Sequence, residues 1–101
     1  MKIEILFFEG CPNFPPTVSR VRGVLNELGV EWEIDEVEIS GPEMARKIGF
    51  LGSPSVRVNG VDIEPGARGC EQIGFGCRTY VESGKREGIP SVELIRAALE
   101  G

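Results

Sequence analysis

Three cysteines, Cys11, Cys70 and Cys77, and no histidine at all set the chemistry open to this 101-residue chain. Without an imidazole there is no Ser-His-Asp or Cys-His catalysis and no His-ligated metal site. A reaction must therefore run on thiols, carboxylates, Lys, Arg or the single tyrosine, Tyr80. Cys11 follows an apolar run that stops at Gly10, and Pro12 follows it, a pattern that ends a strand and turns into a helix. A thiol at a helix N-terminus meets backbone N–H groups and the positive end of the helix dipole, which favour its thiolate. A free thiol is only about 3 % ionised at pH 7, and a helix-end effect of up to about 2 kcal/mol raises that to tens of per cent. Glu9 works against this by adding negative charge, and Pro12, Pro15 and Pro16 do so by removing N–H donors.

Cys70 and Cys77 stand in a glycine-rich stretch, spaced too widely for the two-residue step of a zinc knuckle. Either can resolve a sulfenic acid or mixed disulfide formed on Cys11, and Arg78 is placed in sequence to stabilise a Cys77 thiolate. Convergence of all three sulfurs would instead make a soft-metal site for Hg(II), Cu(I) or Zn(II). A third reading is an interaction module without chemistry. No cofactor motif is present. The acidic run Glu31, Glu33, Asp35, Glu36 and Glu38 reads as an exposed strand face with edge protection.

The elements that must position these residues are legible from periodicity. Residues 2–8 are nearly all apolar, the pattern of a central strand covered on both faces. Val18, Val21, Val24, Leu25 and Leu28 recur at helical spacing before Gly29, which predicts a helix over 16–28. Residues 31–39 alternate Trp32 and Ile34, then shift phase to Val37 and Ile39, as in a strand with a bulge or with two contact modes, nearer the sheet edge. Ser40 and Glu43 have capping-box spacing ahead of a short helix that carries Met44 and Ile48 and stops at Gly49. Asn59-Gly60 between alternating residues 55–58 and 61–63 predicts a type I′ hairpin. Residues 64–88 are glycine-rich with no clear period, apart from a possible extended piece at 77–81 and a polar turn at 84–88. Pro90 opens a last helix with Val92, Ile95, Ala98 and Leu99 on one stripe. The order is β-α-β-α-β-β-α: an α/β fold, one domain over 1–101, with a mixed four-stranded sheet, helices on both faces and an insertion at about 64–88.

Composition narrows the partners. A formal charge of -5 and a pI near 4.8 exclude the clustered basic surface that nucleic acid or an anionic membrane requires. No apolar run approaches the roughly 18 residues of a membrane span, and the first strand is too short for a signal-peptide core, so a cytoplasmic location is expected. An odd number of cysteines in a reducing compartment points to reactive thiols rather than fixed disulfides.

With these elements in order, the chain resembles a thioredoxin-fold protein over most of its length. Gly10-Cys11-Pro12-Asn13-Phe14 stands where that family has its CxxC motif, Gly52-Ser53-Pro54-Ser55 where it has its cis-proline loop, and the Asn59-Gly60 hairpin follows. More narrowly, Phe8-Glu9-Gly10-Cys11-Pro12, Phe50-Leu51-Gly52-Ser53-Pro54 and Cys77-Arg78-Thr79-Tyr80 resemble small bacterial and archaeal thioredoxin-like proteins, some labelled as relatives of alkylmercury lyase. The resemblance implies thiol-disulfide exchange with a protein or small-molecule thiol or disulfide. Cys11 would be the nucleophile, and Cys77 is preferred over Cys70 as the resolving thiol. Pro12, Ser53, Pro54, Arg78 and Tyr80 would bind substrate, with the Ser53 backbone offered to an extended chain. The chain departs from the family pattern at Phe14, which replaces the second CxxC cysteine, and at Glu9, where a positive charge would help.

Overall fold

The computed structural model describes residues 2–65, 76–82 and 84–100. Its main sheet has four strands in the order β2-β1-β3-β4, formed by β1 (Lys2–Phe7), β2 (Glu33–Glu38), β3 (Ser55–Val58) and β4 (Val61–Asp62). The central place expected for the first strand is observed: β1 pairs parallel with β2 and antiparallel with β3. Its side chains alternate between two cores. Ile3 and Ile5 are fully buried in a cluster with Val21, Val24, Val56 and Ile95, whereas Leu6 packs on the other side with Ile39, Ala45 and Phe50. That is why the strand reads as a continuous apolar run.

Among the described residues three helices cover the sheet: α1 (Phe14–Leu28), α2 (Pro42–Ile48) and α3 (Val92–Glu100). The larger core joins α1 and α3 on one face, and the smaller one holds Ala45, Met44 and Ile48 of α2 on the other. The chain thus has the expected α/β architecture, with the thioredoxin-like layout of sheet and helices. At the end of α1, Gly29 takes φ 67° and donates to the Asn26 carbonyl, while Val30 donates to that of Leu25, both at 3.2 Å, so the last carbonyls are satisfied.

Several local expectations are corrected. The phase shift in β2 is not a bulge, because Lys2 to Phe7 pair one-to-one with Glu33 to Glu38. Instead, Trp32 and Ile34 face the larger core, and Val37 and Ile39 face the smaller one. α2 has no capping box: Gly41 is its N-cap with no side-chain cap, and Ser40 bonds the Met44 sulfur instead. With Pro42 at the helix start, the first turn already lacks one amide that would need a cap. The polar segment after Thr79 is a second hairpin, β5 (Tyr80–Glu82) with β6 (Lys85–Glu87), rather than a simple turn. Every residue of β6 is exposed, so no apolar periodicity marks it. The Asn59-Gly60 hairpin forms as expected, with φ of 51° and 83° at the two turn residues.

Candidate thiol site

The Cys11 turn begins where β1 ends. The Cys11 amide donates to the Phe8 carbonyl at 3.2 Å, and Gly10 takes φ 84° to make the corner. α1 starts at Phe14, two residues earlier than the periodicity predicts. The first turn of that helix leaves little to hold a thiolate. The Phe14 amide donates to the Cys11 carbonyl, Pro15 and Pro16 have no N–H, and the Thr17 amide donates to the Asn13 carbonyl. The expectation of free helix-terminal amides at Cys11 is therefore not met, since its helix spends them internally. Phe14, in the place of a second CxxC cysteine, stacks on Phe7 with centroids 3.7 Å apart and planes 11° off parallel. Cys11 itself is buried, at 6 % exposure, and Pro12 is exposed.

Across from this turn runs the loop Gly52-Ser53-Pro54, in which the Ser53–Pro54 peptide is cis. Ser53 is wholly buried, and its hydroxyl accepts from the Phe8 amide at 3.3 Å. The Ser53 backbone is not open to a substrate, because the chain's own Gly76-Cys77-Arg78 segment already pairs with it. The Ser53 amide donates to the Gly76 carbonyl at 2.8 Å, and the Arg78 amide donates to the Ser53 carbonyl at 2.9 Å, making a parallel bridge between Ser53 and Cys77. Along an extended segment successive side chains point to opposite sides. Cys77 accordingly faces outward with Phe8 into a surface cleft of about 420 Å³, and Arg78 turns inward.

Arg78 and Tyr80, read from sequence as substrate contacts, are engaged inside the protein. The Arg78 guanidinium donates to both Asp62 oxygens at 2.7 and 2.8 Å, to Ser55 Oγ at 3.0 Å and to Glu64 at 3.3 Å, and lies 4.4 Å from the centre of the Tyr80 ring. It does not point at Cys77. Burial works to lower its pKa but is outweighed by the hydrogen bonds to Asp62, with Tyr80 and Glu64 acting in the same direction, so it is held above its ordinary value. Tyr80 is 1 % exposed and donates to the Pro54 carbonyl at 2.6 Å. Burial pushes its phenol well above the usual value, against the opposing pull of Arg78. These two residues tie the Cys77 segment and the Pro54 loop to β3 and β4.

The structure thus brings Ser53, Pro54, Cys77, Arg78 and Tyr80 together directly, and joins Cys11 to them through Phe8. Cys70 lies outside the described residues, and with it any three-thiolate arrangement; among the described residues no group of three or more Cys, Asp or Glu side chains is placed to hold a metal. Sequence reasoning missed that Glu9 and Glu38 flank the cleft with Cys77. It also missed Asp62, the partner of Arg78, which stands between Val61 and Ile63 in the sequence.

Fold and thiols together define an α/β protein of thioredoxin-like layout with two cysteine-bearing segments packed on one proline loop. The chain belongs to the family described as a domain of unknown function (DUF2703), which matches residues 13–99. The Ser53–Pro54 loop and Cys77 lie inside that match, and Cys11 lies just before it. Neither the curated proteins nor the solved structures compared with it give a match. Among the described residues no helix is long and apolar enough to cross a membrane.

Proposed function

We propose that this is a thiol redox protein related to the thioredoxin superfamily, carrying out thiol-disulfide exchange through Cys77 and Cys11. The observation that carries the reading is the parallel pairing of Cys77 with Ser53, on the loop whose hydroxyl also holds the Cys11 turn through Phe8. Access favours a reversal of the roles expected from sequence: Cys77 is exposed and Cys11 buried, so Cys77 meets the substrate and Cys11 resolves.

In the first step the Cys77 thiolate attacks one sulfur of a disulfide RSSR, forming a Cys77–SR mixed disulfide and expelling RS⁻, which takes a proton from water. In the second, the Cys11 thiol, losing its proton to water, attacks the Cys77 sulfur and expels the second RS⁻. The protein is oxidised to a Cys11–Cys77 disulfide and one disulfide is reduced to two thiols. A cytoplasmic setting, in which thiols are kept reduced, fits that cycle.

Oxidation of the Cys70→Ser protein with diamide, followed by non-reducing peptide mapping, tests it. An intramolecular Cys11–Cys77 crosslink is expected. A protein in which Cys11 stays a free thiol under oxidation that consumes Cys77 would not be a dithiol exchanger.

A further inference from the structure

We infer that the site takes small disulfides, favours cationic over anionic ones, and does not accept an extended polypeptide along Ser53. The inference rests on the proposed exchange reaction and concerns what reaches Cys77. Two independent features of the structure support it.

The first is occupancy. A polypeptide docking beside Cys77 as an added strand needs backbone donors and acceptors. Those of Ser53 are already taken by Gly76 and Arg78, at 2.8 and 2.9 Å. The segment that takes them is pinned from behind, because Arg78 is 6 % exposed and held by Asp62, Ser55 and Glu64. Displacing it would break a buried ion pair. With the Ser53 edge closed, the cleft of about 420 Å³ offers an approach to Cys77 of a volume suited to a small molecule.

The second is charge. Glu9 and Glu38 border the same cleft as Cys77, together with Phe8, Ile39, Ser40 and Gly76, and among the described residues no Lys or Arg lines it. Each carboxylate acts on an incoming unit charge about 8 Å away, in the water-like dielectric of an open cleft, by a factor of about two. A disulfide carrying an ammonium at each end is drawn in, and one carrying a carboxylate at each end is repelled. The two together separate cationic from anionic disulfides by about tenfold or more.

The test follows the loss of the Cys77 thiol by peptide mapping in the full chain, using cystamine, bis(2-hydroxyethyl) disulfide, 3,3′-dithiodipropionate and insulin as probes. Each small-probe rate is divided by that probe's rate with 2-mercaptoethanol, which removes intrinsic reactivity. The expected order is cystamine, then the neutral disulfide, then dithiodipropionate, spanning at least about tenfold at low salt. In Glu9→Gln/Glu38→Gln, both exposed positions, the span falls below about threefold, and insulin disulfides are not consumed in either protein. Normalised rates within twofold of each other, a span unchanged in the double variant, or insulin reacting as fast as the neutral probe would each overturn the inference. If instead the charge order holds while Cys11 stays free and Cys77 keeps its adduct, the specificity stands and the dithiol reading falls.

Discussion

Arg78 grips Asp62 with both arms of its guanidinium, at 2.7 and 2.8 Å, and by doing so fixes which way the preceding residue, Cys77, faces. Removing one partner of a buried pair leaves an uncompensated charge, which costs about 3–5 kcal/mol. Arg78→Ala and Asp62→Ala are therefore expected to lower the free energy of unfolding in urea by that amount. The double variant Arg78→Met/Asp62→Leu should lose much less than the two single changes added together. Arg78→Lys, which keeps the charge but not the planar fork, should fall between wild type and Arg78→Ala. A cost for Arg78→Ala near that of an exposed ion pair, about 1 kcal/mol or less, would show that the grip is not structural.

Two glycines are expected to respond to alanine with opposite signs. Gly52 takes φ 118°, and a Cβ there would sit 2.9 Å from Arg78 Cβ and 3.1 Å from the Gly76 carbonyl oxygen. The left-handed backbone is strained for any other residue, and the contact pushes directly on the segment bearing Cys77. Gly52→Ala should destabilise by about 1–3 kcal/mol and speed hydrogen exchange at the Ser53 and Arg78 amides, which bridge the two segments. Gly23, inside α1 with nothing within 4 Å of its would-be Cβ, should gain about 0.5–1 kcal/mol as alanine. Equal behaviour of the two in thermal and urea melts would contradict the close packing of residues 76–78 on the loop.

The contrast between these positions also marks what could be read from the chain itself. Elements that depend on local chemistry were legible: the continuous apolar run of β1, the stop at Gly29 and the Asn59-Gly60 turn each follow from a few adjacent residues. β6 was not, because Lys85, Arg86 and Glu87 are all exposed and carry no period. The site was legible in its members but not in its arrangement. Cys77, Ser53 and Arg78 stand out by type, yet the partner of Arg78 is 16 residues earlier in sequence and the bridge partner of Cys77 lies on another loop. Sequence adjacency suggested that Arg78 serves the Cys77 thiolate; alternation of side chains along an extended segment sends the two to opposite sides.

Tyr80 should report its own burial. It is the single tyrosine of the chain, so phenolate absorbance near 295 nm reads it alone. Its folded pKa is raised, chiefly by burial, above the unfolded value of about 10. Between those two values the unfolded state has lost a proton that the folded state keeps. Stability is then fully present below about pH 10 and declines as pH rises toward the folded value. Phenolate absorbance should therefore stay absent through about pH 10 and appear at higher pH together with the loss of near-ultraviolet circular dichroism. Ordinary titration centred near pH 10 in a protein that stays folded would contradict the burial of the hydroxyl against Pro54.

Accessibility rather than helix position should govern which cysteine reacts first. Cys77 is exposed on the cleft, whereas Cys11 is 6 % exposed beneath a turn whose helix keeps its first amides for its own carbonyls. With iodoacetamide under native conditions, peptide mapping should find Cys77 carboxamidomethylated at least about tenfold faster than Cys11. The gap should close in denaturant, where both thiols have the ordinary reactivity of an unfolded chain. Loosening the loop by Gly52→Ala should raise the Cys11 rate toward that of Cys77, because the Ser53 hydroxyl that accepts from Phe8 also steadies the turn above Cys11. Faster native labelling of Cys11 than Cys77 would restore Cys11 as the entering nucleophile and reverse the order of the two exchange steps.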